Sequence, residues 1–103
     1  LENLHRGGNF LRRVHATKVG GYHEDYRRWG CEDSDLQWKM GELFEIVCIP
    51  EDPIFEVLHL DHPKGYFDRN LWMSNEEILK QRKKEGIAKC VAYDRETLES
   101  RTL

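Results

Sequence analysis

The sequence predicts a mainly β, α+β fold: a small, partly open β-barrel of about five strands followed by a C-terminal helix. Three observations carry that expectation. Apolar side chains alternate at Leu36, Trp38 and Met40 ahead of Gly41. The run Leu43-Phe44-Glu45-Ile46-Val47 that follows is rich in residues that favour strands. Ser74 and Glu77 then have the spacing of a capping box, in a segment that ends in basic residues and Gly86. A chain of 103 residues suits one core with appendages, and the expected division is a flexible or non-native arm over 1–10, the barrel over 11–73 and a helical extension over 74–103.

Taken in order, Leu11 to Val19 reads as a strand, with apolar residues at 14, 16 and 19, and Gly20-Gly21 ends it. Tyr22 to Asp35 mixes aromatics, charges and glycine without a regular period, so it reads as a long structured loop. Leu36 to Val47 reads as two β segments folded about Gly41, and Pro50 to Pro53 punctuates their end. Ile54 to Leu60 alternates again, Asp61-His62-Pro63-Lys64-Gly65 forms a turn, and Tyr66-Phe67 opens a short strand. A helix is expected from about 75 to 85, with Glu76 and Glu77 in its first turn, Arg82, Lys83 and Lys84 in its last, and Gly86 as its stop. Ile87 to Tyr93 reads as a final strand, with Asp94 capping a short helix after it.

Composition narrows the function. Hydrophobic residues at 39% can fill a core, while no apolar run approaches the roughly 20 residues that cross a bilayer. Net charge is -3, concentrated in the middle: residues 31–61 hold nine acidic side chains and one basic, Lys39. That balance disfavours a phosphate-binding surface, whose compact match is limited to Arg27, Arg28 and Trp29. Cysteines 31, 48 and 90 lack the spacing of a disulfide framework or a zinc site, which implies a reducing, cytoplasmic setting.

The segment Asp35 to Val47 resembles the part of Src-homology-3-type barrels that leaves their first long loop, with an alternating leucine and aromatic, a basic residue, a Gly-Glu turn and a hydrophobic strand. Gly65-Tyr66-Phe67-Asp68-Arg69-Asn70-Leu71-Trp72 is similar to the strand and helical turn that close such barrels. The peptide-binding members carry proline at the place of Asp68, tyrosine at that of Leu71 and tryptophan near Ile54-Phe55. The resemblance therefore implies an outlying barrel of bacterial or phage type, on a scaffold that does not fix function.

Chemistry-bearing motifs are sparse. His59, Asp61 and His62 form the best metal-like cluster, and the same residues would serve a metal-dependent hydrolase or nuclease. No phosphate-binding Gly-rich loop is present, and Ser34, Ser74 and Ser100 all lack the setting of a nucleophile elbow. No cofactor is expected. The remaining candidate is a surface of Tyr22, Tyr26 and Trp29 with an acidic rim of Glu32, Asp33 and Asp35, suited to a basic protein segment. The resulting expectation is a non-catalytic protein-binding module, such as a small phage or bacterial accessory or inhibitor protein acting on a host or partner protein. Nucleic-acid binding through Arg12, Arg13, Arg27 and Arg28 is the alternative.

Overall fold

In the computed structural model, residues 11–28, 30–47 and 68–101 are described, and their regular structure is four helices with no strand among the described residues. These are α1 (Arg13–Lys18), α2 (Glu32–Leu43), α3 (Arg69–Glu85) and α4 (Ile87–Arg101). Helix α4 packs against each of the other three. The approach of the chain after α1 to α4 explains Gly20: with φ at +84°, a Cβ there would lie 2.5 Å from the backbone of Asp94 and Arg95. Within the last turn of α1, the ring of His15 stacks on Phe44 just beyond α2, with centroids 4.1 Å apart.

The expected barrel is overturned, and each replaced strand has a physical reason. Leu11 to Val19 gives α1 instead, in which the Thr17 hydroxyl donates to the Arg13 carbonyl at 2.9 Å. The two β segments about Gly41 are replaced by α2, whose buried positions Asp35, Leu36 and Lys39 follow helical spacing rather than alternation. Glu32, Asp33 and Asp35 occupy the first turn of that helix, where carboxylates oppose the positive end of its dipole. The strand expected over Ile87 to Tyr93 belongs to α4, docked by buried Cys90, and Asp94 lies within that helix rather than capping one. The expectations for Ile54 to Leu60, the turn at 61–65 and Tyr66-Phe67 fall outside the described residues.

Helix α3 contains the expected 75–85 segment but begins earlier. Its N-cap is Asp68, whose Oδ1 accepts the Leu71 N–H at 3.1 Å, so Ser74 lies inside the helix rather than at its head. The end is where the basic last turn and glycine place it: Gly86, at φ +98°, donates its N–H to the Arg82 carbonyl at 3.1 Å, and α4 starts at the next residue.

The interior between these helices is mostly polar. Val19, Leu36 and Cys90 are its buried apolar residues among those described, whereas His23, Asp35, Lys39, Asn75, Arg82 and Asp94 are buried as well. Burying charge costs several kcal/mol per ion unless each is paired, so these side chains must meet one another.

Candidate active site

The charges do meet, around the N-terminal half of α2. Asp35 accepts from Arg82 of α3 at Nε (2.6 Å) and Nη2 (3.2 Å), and from the Tyr26 hydroxyl at 2.7 Å. Asp94 of α4 accepts from Lys39 Nζ at 2.8 Å and Arg82 Nη2 at 2.6 Å, and its Oδ1 lies 2.7 Å from His23 Nδ1. Lys39 also donates to the Gly21 carbonyl at 2.6 Å. Two carboxylates thus balance two cations in a shared hydrogen-bonded network.

The network sets protonation. Burial alone would push the Asp94 carboxyl up, but hydrogen bonds from Lys39, Arg82 and His23 outweigh it and hold it below the usual carboxylate range. Burial, with the hydrogen bond to Asp35, pushes the Tyr26 hydroxyl up and keeps it a donor. Burial pulls the Arg82 guanidinium down, while its bonds to Asp35 and Asp94 raise it further and keep it charged. Cys90 is raised by burial, and its thiol donates to the Arg82 carbonyl at 3.2 Å, so it is no activated nucleophile.

The other two acidic residues of the first turn of α2 behave differently. Asp33 is half-buried, and its Oδ1 accepts the Tyr22 hydroxyl at 3.2 Å. Glu32, the first residue of α2, has a buried Oε2 with no hydrogen-bond partner among the described residues. Buried carboxylate oxygens are normally satisfied, and an unsatisfied one at a helix head beside a second carboxylate is a position for a ligand hydroxyl. A cleft of about 290 Å³ lies between residues 20–25 and residues 93, 94, 97 and 98 of α4; neither Glu32 nor Asp33 lines it, and Tyr22 links it to Asp33. Tyr22 lines it while donating to Asp33, and both Tyr22 and Tyr93 are about half exposed, at 49% and 57%.

The loop leading into α2 is held from α3. Asn75 accepts the Arg27 N–H at 3.1 Å and donates to the carbonyls of Arg27 (2.8 Å) and Gly30 (3.2 Å). A Cβ on Gly30 would lie 2.5 Å from Trp72 Cδ1, so only glycine permits this contact.

Of the residues singled out from sequence, Tyr22, Tyr26, Glu32, Asp33 and Asp35 come together here. Tyr26 and Asp35 bond each other as part of the buried network, whereas Tyr22 and Asp33 are bonded at its outer side. Trp29, His59, Asp61 and His62 fall outside the described residues. Arg12 and Arg13 are exposed at the head of α1, and Arg27 and Arg28 are exposed before α2. No group of three His, Cys, Asp or Glu side chains converges as a metal site among the described residues, and none of their helices is long and apolar enough to cross a membrane.

His23, Lys39, Asn75, Arg82 and Asp94 carry no motif that points to this network; the sequence reads Arg82 as a helix-end charge and Asp94 as a cap. The single available signal was the i, i+4 spacing of Asp35 and Lys39, which are neighbours only on a helix.

Comparison with protein families finds that residues 5–63 match the model for the N-terminal domain of galactosyltransferase. Comparison with curated proteins and with solved structures gives no match.

Proposed function

Because the chain belongs to the galactosyltransferase N-terminal domain family, we propose that it takes part in transferring a galactosyl group from an activated donor to an acceptor hydroxyl, with Asp33 as general base and Glu32 as a sugar-binding carboxylate. The family membership replaces the resemblance to Src-homology-3 barrels, for which the described residues supply four helices and no strand. It also replaces the non-catalytic phage or bacterial inhibitor, and the nucleic-acid and hydrolase alternatives, with a domain of an enzyme family.

The reaction needs a small set of parts. The acceptor oxygen attacks the anomeric carbon of the donor, the bond from that carbon to the leaving group breaks with its electron pair, and the hydroxyl proton passes to a carboxylate. The Tyr22 hydroxyl donates to Oδ1 of Asp33, which leaves Oδ2 to take the proton. Both carboxylates stand in the first turn of α2. Exposed ring surface of Tyr22 and Tyr93 along the cleft suits the C–H faces of a pyranose, and the acidic groups suit its hydroxyls.

The observation that carries this reading is the buried Oε2 of Glu32, which has no hydrogen-bond partner among the described residues, one residue from Asp33 in a chain of this family. The test is transfer of radiolabelled galactose from UDP-galactose to a panel of sugar acceptors by the full chain. Asp33→Asn is expected to lower kcat on the order of 10²–10⁴-fold, the usual contribution of a general base. Glu32→Gln is expected to weaken sugar binding, seen as a raised KM. Full activity in both variants would refute the assignment.

A further inference from the structure

We infer that Asn75, on α3 and beyond the 5–63 span that matches the family, is a positioning residue for the candidate carboxylates; this rests on the reading of Glu32 and Asp33 given above.

The loop before α2 is an unusual piece of backbone. Arg28 has φ +59° and Cys31 φ +73°, both in the left-handed region that side chains disfavour, and Gly30 between them has φ +109°. Cys31 is the N-cap residue of α2 yet contributes no side-chain cap. Such a conformation persists only when its surroundings over-determine it. The element that does so is α3. The Asn75 side chain, on a residue 1% exposed, satisfies both backbone polar groups of Arg27 and closes on the carbonyl of Gly30. Trp72, three residues earlier and so on the same face of α3, abuts Gly30 at the position where a Cβ would stand. The loop is therefore gripped at both ends of its strained stretch, two residues ahead of Glu32.

The acidic pair inherits its direction from that grip. Glu32 and Asp33 follow directly on Cys31, so a change in the dihedrals of 28–31 swings the head of α2 and both carboxylates with it. Misplacing a reacting group by about 1 Å costs about 10²-fold in rate. The hydrogen bonds of Asn75 to Arg27 and Gly30 act on the loop and not on the lining of the cleft, which makes the residue a positioning group rather than a catalytic one.

The decisive variant is Asn75→Asp. It preserves side-chain size and the acceptor for the Arg27 N–H, but turns the amide donor into an oxygen facing the carbonyls of Arg27 and Gly30. Two readouts are taken on the full chain: steady-state transfer from UDP-galactose, and amide hydrogen exchange. The expected result is a kcat lowered about tenfold or more with KM changed less than about twofold, and faster exchange over 27–32 while residues 90–94 of α4 keep their protection. Gly30→Ala, which drives the loop off Trp72 from the opposite side, is expected to give the same signature and stands in if Asn75→Asp does not fold. Unchanged exchange over 27–32 in an active protein, or a kcat loss matched by lost protection throughout α4, would overturn the inference. Absence of transfer by the unmutated chain is a separate outcome: it removes the carboxylate reading itself, and the positioning role falls with it.

Discussion

Arg82 joins α3 to α2 through Asp35, with Nε 2.6 Å from Oδ2 and Nη2 3.2 Å from Oδ1, and the same Nη2 lies 2.6 Å from Asp94 on α4. One guanidinium thus ties three helices. Its planar fork is what allows this, since a lysine ammonium is a compact charge that cannot present parallel N–H groups to one carboxylate while reaching a second. The consequence for function is that the helix bearing Glu32 and Asp33 is held from behind by charges its outer face never shows.

Replacing Arg82 by methionine keeps much of the side-chain volume but leaves Asp35 and Asp94, both almost wholly buried, with Lys39 as their shared cation. Removing one partner from a buried ion pair costs about 3–5 kcal/mol, a large part of the roughly 5–15 kcal/mol that holds a domain together. Urea denaturation is expected to show that loss for Arg82→Met and a smaller one for Arg82→Lys, which restores charge without the fork. A change below about 1 kcal/mol for the methionine variant would show that the network adds little to stability.

Stability should fall at both ends of the pH scale, for two different groups. The folded state lowers the Asp94 carboxyl below its ordinary value, because the hydrogen bonds it accepts from Lys39, Arg82 and His23 outweigh burial. Its contribution is therefore complete above the unfolded value of about 3.9 and is lost as pH falls through the lower folded value. Tyr26 runs the other way: burial and the bond to Asp35 raise it, so its contribution is complete below the unfolded value of about 10 and is lost as pH rises beyond that. Thermal melts across pH are expected to lose their acid dependence in part with Asp94→Asn and their alkaline dependence in part with Tyr26→Phe. Unaltered curves in both variants would contradict the assignment.

The same charges explain what the sequence concealed. Helical periodicity is normally read from apolar residues, but on α2 the buried positions are Asp35, Leu36 and Lys39, so a hydropathy pattern scores two of three as surface. Leu36, Trp38 and Met40 then imitate a strand by alternation, although Trp38 and Met40 are only half-buried. Helix α4 hides in the same way, its buried residues being Cys90 and Asp94. The end of α3 was legible because its signals are local: the basic last turn and Gly86 act within one helical turn of the terminus. The acidic run at 32–35 was legible as a feature, and its chemistry as the first turn of a helix was available from composition alone. Arg82 and Asp94 could not be connected to it, since their contacts with Asp35 and Lys39 span 47 and 55 residues of chain with no motif between them.

Tyr22 offers the finest probe of the proposed base. Its hydroxyl donates to Asp33 while its ring lines the cleft, and the residue is 49% exposed, so removing the oxygen alone should scarcely touch the fold. Surface substitutions of this kind usually change stability by less than about 0.5 kcal/mol. Hydrogen bonds to charged groups are worth about 1.5–3 kcal/mol when well made, and at 3.2 Å with solvent nearby the lower end applies. Tyr22→Phe is thus expected to lower kcat about tenfold with KM for UDP-galactose nearly unchanged, because the aromatic face stays in place while the carboxylate loses its tether. Tyr22→Ala should add a rise in KM by removing that face. If Tyr22→Phe transfers galactose at the unmutated rate, Asp33 does not depend on this hydrogen bond, and its role as the base has to be carried by the Asp33→Asn variant alone.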